Sequence, residues 1–390
     1  MNEALAAVAR KTPELGRLLA ADWDTPIAEH SRALWAPVEG ATLEPALRAA
    51  LIDELTPRLG AGAAELVAAV ERVGVVVTPH HVCPTNGPTF GAIDRLVVAG
   101  APGPVLVLAW SGVPMSNTAA SGALCFSRAP YEALLQPGPE AKVQRQAAKD
   151  RERDGITERR VVLVPPDLRD ALVYECALPA RVGAVLDAAT PALRRWLPDP
   201  TPGETYPAWS LRVCEGIERA LLHTEQLWYV DLNRVAARYL SSVAARPDHP
   251  LARLLDAPPP VDEMSWFYAR RPGKRESVET RTGAEVDWVG RVRSGALCPG
   301  LVPVFGALRL LSRVRLLGGF RQVQYLERIA SVWVAAGVED RGVPGRLATG
   351  RLDAHPLDYA LGAADRSTLP PDDAPMSTLW TPILARLVGR

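Results

Sequence analysis

The densest run of groups able to do chemistry is Thr78-Pro79-His80-His81-Val82-Cys83-Pro84-Thr85-Asn86-Gly87-Pro88-Thr89-Phe90. Two of the chain's six histidines stand side by side in it. On an extended segment neighbouring side chains point to opposite faces, so one imidazole can meet a cleft while the other packs. A cleft histidine suits a general base and the second a positioning group. The sequence leaves open whether His80 or His81 is the base. Thr78, Thr85 and Asn86 add hydrogen-bonding groups for a substrate. The plainer reading is a buried, hydrogen-bonded turn. The site reading is preferred because so polar a stretch, with Gly and Pro, directly follows an apolar run. Cys83 reads as a small buried thiol, since no basic groups surround it to favour the thiolate. His80, His81 and Cys83 fit no zinc spacing, and no metal is expected.

Two further clusters follow. Trp110-Ser111-Gly112-Val113-Pro114-Met115-Ser116-Asn117-Thr118 carries hydroxyls and an amide but no titratable group. Ser111 and Asn117 suit orienting a substrate, and equally suit capping their own loop. In Arg315-Leu316-Leu317-Gly318-Gly319-Phe320-Arg321-Gln322-Val323-Gln324-Tyr325, an apolar stretch ends in two glycines and enters a helix. Gly318 and Gly319 let backbone amides approach a ligand, a helix N-terminus favours an anion, and Arg321 can add a bidentate contact. A plain turn before a helix is the alternative. His223 reads as a satisfied helix histidine, and His30, His249 and His355 as surface positions.

The elements that must carry these groups read as α/β. Residues 1–72 are rich in Ala, Leu and Glu and predict helices, broken near Pro57 and Gly60. Apolar runs at 73–77, 104–110 and 160–164 predict buried strands of a sheet covered on both faces. Residues 136–156 read as an exposed excursion. A stripe of Ile217, Leu221, Thr224, Trp228, Leu232, Val235 and Tyr239 predicts one long helix over 211–245. A hairpin is expected within 266–288, a helix over 301–311 and a short helix at 378–388. The division is therefore a helical segment 1–72, an α/β core 73–335 with insertions at about 136–156 and 211–290, and an irregular or helical tail 336–390.

Composition narrows the function classes. The 390 residues balance 44 basic against 44 acidic side chains, so a large phosphate-reading surface and a nucleic-acid partner are not expected. Of the basic residues only 11, 142, 149 and 274 are lysines. That skew fits a GC-rich coding sequence, and it leaves little lysine for Schiff-base chemistry. No run of eighteen apolar residues and no signal-peptide pattern are present, so a cytoplasmic protein without a membrane partner is expected. Five scattered cysteines fit reduced thiols. GxGxxG, GxxxxGK[ST], GxSxG, HExxH and SxxK are all missing, and no cofactor is expected.

Val76-Val77-Thr78-Pro79-His80-His81, with Asn86-Gly87-Pro88-Thr89-Phe90 behind it, resembles the motif of the cysteine-adding enzyme (cysteine ligase) of bacillithiol biosynthesis. That family carries Val-Thr-Gly-Gln-Gln after a core strand and Gly-Gly-Pro-Leu-Tyr at the same offset. Leu317-Gly318-Gly319 through Tyr325 is similar to its Val-Gly-Gly-Pro-Gly-Glu-Ile-Ala-Tyr. Ser111-Gly112-Val113-Pro114 stands where the family has an acidic, histidine-bearing stretch. The resemblance spans about residues 73–335 and marks a distant, diverged relative. It implies a Rossmann-like core sheet with inserted connecting segments, here with a shortened helical C-terminus. It also implies joining of an amine to a small polar metabolite.

The expectation is thus a biosynthetic enzyme of specialised metabolism, of the kind found in antibiotic biosynthesis. It would form a C–N bond by ligation or by ring closure with loss of an anionic group. His80 or His81 would hold or deprotonate the amine. Thr78, Thr85, Asn86, Ser111 and Asn117 would orient the substrate. Gly318, Gly319, Arg321 and Tyr325 would bind its anionic part. The alternative is a catalytically incomplete subunit that works only in a hetero-oligomer with a small partner protein.

Overall fold

A computed structural model describes residues 3–117, 119–153, 158–243, 246–255, 266–271, 274–278 and 288–388. Its centre is a five-stranded parallel sheet built from β1 (Val75–His81), β2 (Val105–Trp110), β5 (Leu227–Asp231), β9 (Arg315–Gly318) and β10 (Arg346–Leu347). Across the sheet the order is β10-β9-β1-β2-β5. The chain therefore moves outward from β1 through β2 to β5. It then returns to the other side of β1 for β9 and β10.

Alternation along the strands makes the two faces. Val75, Val77, Val105, Val107, Ala109, Leu227, Tyr229 and Leu317 join one apolar cluster, with Ile93, Val97, Trp209, Val213 and Ile217 from the helices Pro88–Gly100 and Tyr206–Leu222. Val76, Leu106, Leu108, Val230 and Leu316 join a second, with the helices Pro45–Leu59, Gly62–Val73, Leu232–Val243 and Phe320–Ala335. A sheet buried on both faces explains why these strands read as continuous apolar runs.

Several sequence expectations are corrected. Residues 211–245 are not one helix. Tyr206–Leu222 ends at His223, which takes a left-handed φ of 51°, and β5 intervenes before the helix Leu232–Val243. The run near 160 forms β4 (Arg159–Val162), which pairs antiparallel with β3 (Ala123–Phe126) outside the central sheet. The excursion at 136–156 contains the helix Pro139–Arg153. His30, His249 and His355 are buried rather than superficial, each beside a carboxylate: Asp22, Glu44 and Glu158. The segment after 336 supplies β10 and buries Leu352, Met376 and Trp380 against Leu5, Leu15, Leu19 and Ile27 near the N-terminus. The expected hairpin is present as β6 (Phe267–Arg271) and β7 (Lys274–Val278), with β8 (Cys298–Pro299) added to β6. The Leu301–Gly306 helix continues into a π-helical turn through Leu311, and the last helix spans Ser377–Val388.

The outer edge of β5 is closed by side chains. Arg58 Nη1 donates to the Tyr229 carbonyl at 2.7 Å, and the Tyr229 amide donates to Glu215 Oε2 at 3.0 Å. Arg58 and Glu215 are themselves paired at 2.6 Å, and Arg219 Nε donates to the Leu227 carbonyl at 2.8 Å.

Candidate functional site

The carboxyl end of β1 is irregular because of Pro79. Val77 pairs with Val107 and His80 with Ala109, so β1 carries one extra residue over Thr78-Pro79. Proline has no amide to give the ladder, and a bulge accommodates it. Without the extra residue, alternation would put position 79, not 80, opposite Ala109. The bulge thus brings His80 to the face covered by the helices Pro88–Gly100 and Tyr206–Leu222.

On that face His80 enters a sealed polar cluster. His80 Nε2 lies 3.0 Å from Asp94 Oδ1, within ion-pair distance but out of hydrogen-bond alignment. The Tyr229 hydroxyl donates to Asp94 Oδ2. Asn86 Nδ2 donates to the same oxygen at 3.0 Å and to Tyr229 Oη at 2.9 Å. The Cys83 thiol lies 3.6 Å from Asn86 Oδ1. Phe90 stacks on the His80 ring at a centroid distance of 4.6 Å. Glu218 is buried beside them, and burial, reinforced by the Asp94 charge, pushes its carboxyl well above the usual range. Burial likewise pushes the Cys83 thiol up, so it is unsuited to act as a nucleophile. His80 is only 1% exposed, so it positions this cluster rather than meeting a substrate.

Of the adjacent pair, His81 is the one that is not fully buried. Its ring lies edge-on to Phe90 and Trp110. Asn117 Nδ2 sits 2.9 Å from His81 Nδ1. The Asn117 carbonyl oxygen is turned the other way, toward the Ser121 amide and hydroxyl at 3.3 and 3.2 Å. The amide group therefore presents its NH₂ to the imidazole, whose Nδ1 must accept. Neutral His81 then carries its proton on Nε2. In this arrangement His81 is a hydrogen-bond donor, not a base.

β9 ends beside β1. Gly318 is closed rather than open: a Cβ there would run into Gln322 Oε1 and the Thr78 carbonyl. Gln322 Nε2 donates to Thr78 Oγ1, so Thr78 and Gly318 serve strand–helix packing rather than a ligand. Gly319 is different. It is the N-cap of Phe320–Ala335, with φ −75° and ψ 179° and no side-chain cap, and a Cβ there would meet only Thr349 Oγ1 at 3.9 Å. Gly87 plays the same part for Pro88–Gly100, again with no side-chain cap and nothing within 4 Å of a Cβ. These two helices cover opposite faces of the sheet and start from adjacent strands, at the point where the strand order reverses. Arg321 is exposed in the first turn of its helix, and Tyr325, half-buried one turn on, has its hydroxyl pushed up to about 12 by burial.

The other expected residues serve the frame. Thr85 Oγ1 accepts from the Cys125 amide at 2.7 Å. Ser111 is buried at the end of β2, where its hydroxyl donates to Asp231 Oδ1 at 2.7 Å. Asn233 Oδ1 accepts from the Ser111 and Gly112 amides at 2.7 and 3.0 Å, and its Nδ2 donates to the Pro299 carbonyl at 2.7 Å. Burial raises the Asp231 carboxyl from its ordinary 3.8 to about 6, against the opposing Ser111 hydroxyl and Arg234 charge. The structure thus brings His81, Asn117, Gly87 and Gly319 to one end of the sheet and leaves Ser111 facing β5.

Sequence reading missed Asp94, Glu218, Tyr229, Asp231 and Asn233. Asp94 and Glu218 carried one signal: each is a carboxylate on an otherwise apolar helix face. Two cavities of about 760 and 860 Å³ lie elsewhere, and no residue of β1, β9 or their loops lines either. Among the described residues no group of three or more His, Cys, Asp or Glu side chains is placed to hold a metal ion. No described helix is long and apolar enough to cross a membrane. Comparison of the chain with known protein families, characterised proteins and solved structures finds no match.

Proposed function

We propose that this chain is a cytoplasmic biosynthetic enzyme with a Rossmann-like core, forming a C–N bond on a small polar metabolite whose anionic group sits in the crevice between β1 and β9. One observation carries the reading: two glycine-led, uncapped helix N-termini open on opposite faces of a parallel sheet where its strand order reverses. Open α/β sheets take ligands in that crevice, and helix N-termini favour anions. His81, with its proton on Nε2, would donate to the oxyanion as it leaves, while the amine attacks the carbon that bears it. The leaving group keeps the electron pair of the broken bond, and the proton shed by the amine departs with it. Holding amine and carbon in line supplies the rate enhancement. An amine nucleophile is also what the resemblance to the bacillithiol cysteine-adding family implies.

Gly319→Asp tests this. The backbone at 319 already has N-cap geometry with room for a side chain, so an aspartate should preserve stability or raise it by roughly a few tenths of a kcal/mol. Its carboxylate would occupy the anion position. Titration of the wild type with inorganic phosphate should shift the backbone amide resonances of Thr89, Phe320 and Arg321 to saturation, and Gly319→Asp should abolish those shifts. Wild-type resonances that do not move, or that move equally in the variant, would refute the reading.

A further inference from the structure

The 860 Å³ groove lies along the β5 edge, separated by β2 from the β1–β9 crevice, and shares no lining residue with it. Its walls carry Arg58, Arg195, Arg212, Arg219 and Arg234 against the carboxylates Glu204 and Glu215. That excess is notable in a chain whose formal charge is zero.

The arginines are not simply waving in solvent. Arg58, Arg212 and Arg219 have side chains only 24, 27 and 18% exposed. Arg58 and Arg219 share the buried carboxylate of Glu215, at 2.6 and 3.0 Å, and Arg219 also lies 3.8 Å from the exposed Glu225. Arg212 is matched by Glu204. Arg234 reaches Glu54, which also receives Arg238. The Arg195 guanidinium lies over Trp196 at 4.7 Å, and its one hydrogen bond among the described residues is to the Ala360 carbonyl at 2.9 Å. Arg219 Cζ lies over the Trp228 ring, 4.0 Å from its centroid. Guanidiniums fixed by stacking and edge contacts cannot swing apart to relieve their repulsion, and partial burial reduces its screening. A bound polyanion would balance them.

We infer that this groove is a binding site for a small molecule carrying two or more anionic oxygen groups, phosphoryl or carboxylate. Its volume suits a metabolite-sized ligand. Guanidiniums arrayed on a rigid wall read such groups bidentately.

One variant places a competing carboxylate in the groove without touching an arginine, and a second removes one. Gly216 lines it from within Tyr206–Leu222, and a Cβ there would meet nothing within 4 Å. Gly216→Glu should therefore fold with equal or greater helix stability. Pyrophosphate and citrate are titrated separately into wild-type protein, following the indole N–H resonances of Trp196 and Trp228. Saturable shifts with either anion, weakened at least tenfold in Gly216→Glu and also in Arg195→Gln, support the site. The choice between the two anions reports whether phosphoryl or carboxylate is preferred. No saturable shift with either anion, or equal affinity in both variants, overturns it. Gly319→Asp should leave these shifts unchanged, so this outcome and that of the crevice are read separately.

Discussion

Replacing Asp231 by asparagine should change the slope of stability against pH. In the folded protein burial holds the carboxyl near 6, while an unfolded chain keeps it near 3.8. The gap of about two pK units, at about 1.4 kcal/mol each, amounts to roughly 3 kcal/mol. Because the folded value is the higher one, the native state binds more protons than the unfolded state between those values. Stability from this group is fully present below about pH 4 and is lost as pH rises through about 6. Asparagine keeps an oxygen for the Ser111 hydroxyl and for the Asn233 amide at 2.9 Å. It also puts an NH₂ where the buried Oδ2 finds no hydrogen-bond partner, at a pH-independent cost of about 1–3 kcal/mol. Urea unfolding at constant ionic strength, wild type beside Asp231→Asn, isolates the term because other titrations cancel in the difference. Relative to wild type, the variant should gain roughly 3 kcal/mol between about pH 4 and about pH 7. Parallel pH curves would show that Asp231 is ionised in the native state as easily as in the unfolded chain, and the burial argument would fail.

Three further outcomes follow from the same geometry. Gly318→Ala should lower stability by about 1–3 kcal/mol, because Gln322 and the Thr78 carbonyl occupy the space, whereas Gly319→Ala should stay within about 1 kcal/mol of wild type; thermal unfolding of the pair checks both. Burial, reinforced by the Asp94 charge, raises the Glu218 carboxyl, so Glu218→Gln should gain stability relative to wild type as pH rises above the ordinary carboxylate range, where the unfolded chain gives up a proton that the native state holds; urea midpoints at two pH values decide, and equal pH slopes would contradict it. Asn117→Asp should move the neutral His81 proton from Nε2 to Nδ1, read from long-range ¹⁵N–¹H correlations of the imidazole, and an unchanged tautomer would contradict the pairing of Asn117 with His81.

What could be read from the sequence was whatever depends on local pattern. Val75–Val77 and Val105–Trp110 announce buried strands, and a polar loop after the first of them sits at the carboxyl edge where α/β sheets bind ligands. The glycine pair before Phe320 also marked a helix start correctly, though only Gly319 is open. β5 escaped because Ile217, Leu221, Trp228, Leu232 and Tyr239 keep helical spacing across a break that no glycine or proline marks; His223 makes the left-handed turn instead. The partners of His80 escaped for another reason. Asp94, Glu218 and Tyr229 are gathered from two helices and a third strand, and only the packed sheet brings them together. His30, His249 and His355 looked superficial because their neighbours are polar, yet each is buried against a carboxylate from elsewhere in the fold.

The closed edge of β5 also bears on how the protein behaves in a crowded solution. A parallel sheet ending in free amides and carbonyls is a template on which another chain can add a strand. Here the Tyr229 amide and carbonyl are already taken by Glu215 and Arg58, and the opposite edge, β10, is only two residues long. Neither border offers a run of unpaired backbone, so self-association by strand addition is blocked at both. The lock is ionic. Replacing Glu215 by alanine would leave the Tyr229 amide open and Arg58 without its carboxylate, and self-association acquired by such a variant would begin at this strand.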